Sequence, residues 1–130
     1  MGFGRILTMA LAAAALGASG PAAAHHANSA YDRSQSVTIT GTVTQWQFIN
    51  PHSGLFLDVT DEHGNVVRWS GEFQGTLDLY RHFGWNKDTF RPGDKITIVG
   101  FPSRDGTPTL GARLVIFADG AEVDVRSAPD

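Results

Sequence analysis

From Val37 onward apolar and polar side chains alternate: Val37, Ile39, Gly41 and Val43 fall on one side of an extended chain, Thr38, Thr40, Thr42 and Thr44 on the other. A period of two in β-branched residues predicts a half-buried strand. Gly41 interrupts its inward side, which predicts a bulge or a sharp bend. The turn cluster Asn50-Pro51-His52-Ser53-Gly54 comes next, and then a second strand over 55–60 with Leu55, Leu57 and Val59 on one face. Residues 61–65 have the composition of a hairpin loop, in which Gly64 and Asn65 tolerate positive φ. A third strand occupies 66–73.

The period then lengthens. Leu77 with Tyr80, and Leu79 with Phe83, recur at helical spacing, so 76–83 reads as a short helix capped by Thr76 and ended by Gly84. Arg91-Pro92-Gly93-Asp94 is a turn, because Pro92 presets φ at the second position and Gly93 accepts the left-handed one. Two further strands, 95–101 and 109–117, flank a Gly/Pro-rich hairpin at 103–108. Residues 25–36 lack periodicity and read as an N-terminal arm. The folded domain spans 37–118, and 119–130 is a polar C-terminal tail. The result is an all-β domain with one short helix, in the order β-β-β-α-β-β. That is the order of the OB-fold, a five-stranded, partly open barrel. A long first strand bent at Gly41 suits it, because that strand must join both sides of the barrel. An open five-stranded sheet with a packed helix is the alternative.

The segment before the arm has a different grammar. Arg5 and the α-amine make a positive start, 6–16 is a short apolar run, 17–21 breaks any helix, and Ala22-Ala23-Ala24 is a small-residue cleavage site. Residues 1–24 therefore read as a signal peptide. The apolar run is too short to span a bilayer comfortably and no stop-transfer segment follows, so no integral membrane segment is expected after cleavage. A periplasmic or secreted protein follows. Acidic residues number 13 against 10 basic ones, for a net charge of −3, and the leader contributes Arg5 but no acid. No basic cluster meets a phosphate backbone, so nucleic acid is not an expected partner. The chain has no cysteine, which excludes disulfides, thiolate zinc sites, iron–sulfur clusters and thiol catalysis.

Cleavage after Ala24 would make His25 the first residue. Its α-amine and ring nitrogen chelate one ion; alternatively the amine, the His26 amide and the His26 ring bind in a plane. Nitrogen donors in a tetragonal layout favour Cu(II). His52, in a Pro-stiffened loop, is the candidate for a further imidazole. Of the 5 histidines, the other two read as surface: His63 in a hairpin loop and His82 on the short helix. Asn50 and His52 are also ordinary loop-forming residues. Their loop, however, lies on the face that OB-folds use for ligands, with Trp46, Phe48, Phe56 and Trp69 on the neighbouring strands. Those four aromatics are core or ligand platform. Catalytic templates fail: there is no G-x-S-x-G elbow, no phosphate-binding glycine loop and no H-E-x-x-H helix. Ser53 beside His52 is not a dyad. Asp58, Asp61, Glu62 and Glu72 are spread over two strands and a turn without pairing as acid and base. No enzyme is expected.

The leader, the His25-His26 start, the strand from Val37 to Val43, Asn50-Pro51-His52, Gly84-Trp85 and Arg91-Pro92-Gly93-Asp94 together resemble a family of small exported bacterial proteins known as a domain of unknown function. The element order is similar to that of bacterial periplasmic OB-fold proteins. This resemblance covers most of the mature chain and implies no particular activity, substrate or partner. It points to His25, His26 and Asn50-Pro51-His52 as the distinctive positions. The leading expectation is a copper-binding module using His25, His26 and His52. A second is a binding module for a small ligand, glycan or protein, gripped by Trp46, Phe48, Asn50, Phe56 and Trp69. A third, a copper oxygenase built on a histidine brace, would need that brace on a flat face suited to a polymer.

Overall fold

A computed structural model describes residues 30–126. The expected signal peptide at 1–24, His25, His26 and the last residues of the tail lie outside them. Strands β1 (Val37–Gln47), β2 (Gly54–Thr60) and β3 (Val66–Glu72) precede helix α1 (Thr76–Phe83), and β4 (Lys95–Pro102), β5 (Thr109–Ile116) and β6 (Glu122–Asp124) follow it. The sheet runs β3-β2-β1-β4-β5-β6, and a parallel β3–β5 pairing closes β1 to β5 into a barrel. The domain is therefore the OB-type barrel with one short helix, not the open sheet. Among the described residues, no helix is long and apolar enough to cross a membrane.

β1 serves both sides of the barrel. Val37 to Thr42 pairs with β4, and Thr42 to Gln47 pairs with β2. The irregularity lies at Thr44 and not, as the sequence predicts, at Gly41: the register passes from Val43↔Leu57 to Gln45↔Phe56 and skips one residue. Gly41 has another cause. A Cβ there would stand 2.5 Å from the Asp58 carbonyl oxygen, so the glycine lets β2 approach as β1 changes partners. At Val43 the backbone N–H donates to Asp94 O and the carbonyl accepts from Gly93 N–H, each at 2.8 Å. The predicted turn at 91–94 thus completes the ladder at the bulge.

Alternation becomes burial as expected. Ile39, Val43, Leu55, Leu57, Ile96, Ile98, Leu110 and Val115 line the interior, and Leu79 of α1 is fully buried among them. An aromatic group continues this core: Trp46 and Trp85 each meet Phe90 edge-on at 5.0 Å, and Phe90 stacks on Phe117 at 5.4 Å. Such offset and edge contacts suit the ring quadrupoles.

Two further expectations need correction. Thr76 does not cap α1. Gly75 is the N-cap and offers no side chain, while Gly84 ends the helix as predicted in the left-handed conformation, φ 69°. Nor is 119–130 simply a polar tail, because Glu122–Asp124 pairs with β5 and Val125 is fully buried. The Val125 N–H donates to Arg113 O at 2.8 Å, and the Gln74 carboxamide donates to Val125 O. Val123 and Val125 keep period two, but two apolar residues among acids are too weak a signal to read as a strand.

Candidate functional site

The loop from β1 to β2 is stitched to the end of β3. Ser53, buried beneath it, donates its N–H to Gln74 O at 3.1 Å and its hydroxyl to Ile49 O at 3.1 Å, and accepts the Phe73 N–H at 2.9 Å. The Asn50–Pro51 peptide is cis. Asn50 turns its carboxamide oxygen onto α1, accepting the Thr76 N–H at 2.9 Å and the Thr76 hydroxyl at 3.1 Å. It supplies from across the fold the cap that Gly75 lacks. The backbone approach there is close, since a Cβ on Gly75 would lie 2.7 Å from that oxygen.

With its neighbours so engaged, His52 is held outward at the barrel end where Gly54 pairs with Glu72. Its Nδ1 faces Glu72 Oε1 at 3.8 Å, with side chains 47% and 38% exposed respectively. The other carboxylate oxygen, Oε2, accepts the Tyr31 hydroxyl at 2.8 Å. Burial first, then the bond to Glu72 and its charge, push the Tyr31 phenol well above its ordinary range, so it stays a donor.

Tyr31 belongs to the arm, which is laid along the β4–β5 hairpin. Tyr31 bridges Ser103, the Arg104 N–H donates to Ala30 O at 2.9 Å, and the Asp32 N–H donates to Pro102 O at 2.9 Å. Gly111 makes room for the phenol ring: a Cβ there would meet two of its carbons at 3.3 Å. Gly111 in turn pairs with Glu72 across the parallel closure. Barrel closure, arm docking and the His52 loop therefore converge on one carboxylate.

The remaining predicted residues scatter. Trp46 lies in the aromatic group, and its indole N–H donates to Asn86 O at 2.9 Å. Phe48 packs 6.0 Å from Trp46 by ring centroid, and Phe48 and Trp69 both lean on the core. Phe56 is half-buried on the outer side of β2, between Gln45 and Ser70 in register. His63 and His82 are exposed, His63 beside Glu62 at 3.5 Å. Among the described residues, no group of three or more His, Cys, Asp or Glu side chains is placed to hold a metal ion. A surface depression of about 280 Å³ lined by Asp94, Lys95, Ile96, Phe117, Ala118 and Asp119 shares no residue with the His52 cluster. It falls just below the size range of small-molecule clefts.

Sequence reasoning missed Tyr31, Glu72 and Gly111. The usable signal was Gly111 itself, an isolated glycine inside a strand pattern, which marks a close approach by another group.

Residues 13–112 match a family of unknown function, DUF6152. The chain belongs to that family. The DUF6152 match runs from residue 13 to the middle of β5 and takes in Tyr31, His52, Glu72 and Gly111. No curated protein matches the chain.

Proposed function

We propose that this DUF6152 protein is an exported, non-enzymatic binding module that holds Cu(II) through a mature N-terminus at His25, through His26 and through His52, in copper storage, delivery or sensing. The observation that carries this reading is the anchoring of the arm. Tyr31 is bonded to Glu72, and the same carboxylate faces His52. Four residues lie between Tyr31 and His26, and the five Cα steps fully extended span roughly 17 Å, which supports a return of the two histidines toward His52. Two imidazoles and an amine make a nitrogen set suited to Cu(II). The competing platform for a small ligand or protein finds less support, because Trp46 is spent on core packing and Asn50 on capping α1.

The test is expression with the native leader, intact mass to locate the terminus, and Cu(II) titration against a competing chelator. The expected terminus is His25, and His25→Ala and His52→Ala should each weaken binding more than tenfold. A different terminus, or wild-type affinity in both variants, refutes the reading.

A further inference from the structure

We infer that Glu72 is itself a metal ligand, pairing with His52 to bind a divalent ion, with Tyr31 as the residue that positions it; this rests on the reading of His52 as a ligand. The geometry starts from the 3.8 Å between His52 Nδ1 and Glu72 Oε1. That separation is too long for a hydrogen bond. Two donors each about 2.1 Å from one ion stand about 3.0 Å apart at a right angle and about 3.4 Å apart at the tetrahedral angle. Small side-chain rotations therefore bring the pair onto a shared ion, and both side chains are partly exposed.

The carboxylate is also prepared for the task. The Tyr31 hydroxyl occupies Oε2 at 2.8 Å, which fixes the plane of the group and leaves Oε1 directed at the imidazole. A hydrogen bond on the far oxygen is how outer-sphere partners orient a metal-binding carboxylate. His52 is fixed from its own side by the buried Ser53 and the Asn50 cap. One imidazole and one carboxylate supply two donors, and the charge of Glu72 offsets half that of a divalent ion.

The donor chemistry defines the class of ion. The chain has no cysteine, and its 2 methionines, Met1 and Met9, both lie in the leader. The mature protein would therefore carry no sulfur ligand. Imidazole with carboxylate suits Cu(II) or Zn(II), whereas soft thiolate and thioether sites select Cu(I).

The test uses the mature full-length chain and Cu(II) alone as probe, with affinity by chelator competition and the coordination read by EPR. The set is wild type, Glu72→Gln, Tyr31→Phe, His52→Ala and His25→Ala/His26→Ala. Glu72→Gln keeps the size of the side chain and an acceptor for Tyr31, and a thermal melt confirms its fold. It should lose about 10- to 100-fold in affinity and change the EPR parameters as an anionic oxygen donor is lost. Tyr31→Phe, made in the His25→Ala/His26→Ala background so that release of the arm contributes nothing, should show a smaller affinity loss with an EPR change in the same direction as Glu72→Gln, which a purely structural role would not produce. A Glu72→Gln protein with wild-type affinity and spectrum, alongside a weakened His52→Ala, overturns the inference and leaves the proposed function standing. Wild-type affinity in His25→Ala/His26→Ala with a loss in Glu72→Gln does the reverse. A wild-type protein that binds no Cu(II) overturns both.

Discussion

Replacing Asn50 with alanine should destabilise the barrel by removing a helix cap that comes from a loop 26 residues away. The lost contacts are two, the Thr76 N–H at 2.9 Å and the Thr76 hydroxyl at 3.1 Å. Water replaces the second at little cost, since the hydroxyl can rotate. The first is an orphan donor at the start of an 8-residue helix whose N-cap, Gly75, has no side chain to take over. Removing a capping side chain costs about 1 kcal/mol, at most about 2. For a domain of this size that lowers Tm by roughly 4–8 °C. Asn50→Asp keeps the acceptor and adds an anion at the positive end of the helix, so its Tm should equal or exceed that of wild type. Thermal unfolding followed by circular dichroism, with a urea titration to confirm an unchanged m, measures both. An alanine variant melting within about 1 °C of wild type, or an aspartate variant no better than alanine, refutes the capping role.

Docking of the arm is tested at Gly111, where Gly111→Ala sets a methyl 3.3 Å from ring carbons of Tyr31, so that the ring must shift by a few tenths of an ångström and its docking loosens. Hydrogen exchange at the Asp32 and Arg104 amides, which bond Pro102 O and Ala30 O, should quicken about five- to tenfold with the barrel intact; unchanged protection at both counts against the docking. Acid sensitivity follows from two aspartates. Bonds from Ser103 and Thr107 hold the Asp105 carboxyl at about 2 against an ordinary 3.8, and the Arg126 guanidinium does the same for Asp124, also to about 2. A lowered folded pKa gives stability that is complete above the ordinary value and lost as pH falls through the folded one, so Tm should drop modestly between about pH 4 and about pH 2. Asp105→Asn and Asp124→Asn should each flatten that drop, and melting profiles parallel to wild type across the window would contradict the assignment.

The barrel strands, the helix and their order were legible along the chain because each rests on side-chain periodicity within a few residues. Val37 to Val43 alternates wherever it is placed, Leu79 and Phe83 share a helix face, and Gly84 stops that helix through its own backbone. The order β-β-β-α-β-β suits a barrel and an open sheet alike, and the parallel β3–β5 pairing decides for closure. The site is a different kind of object. Tyr31 and Glu72 stand 41 residues apart and meet only because β3 pairs with β5 and a glycine on β5 admits a ring. Asn50 looks like a ligand-binding loop residue in sequence and is a helix cap in space, since the donor it serves arrives by another route through the fold. β6 went unread for the same reason: Val125 becomes apolar core only when Arg113 and Gln74 are there to receive its backbone. Periodicity is local and survives in one dimension. The meeting of His52, Glu72 and Tyr31 is made by closure, which brings together residues whose local patterns carry no trace of one another.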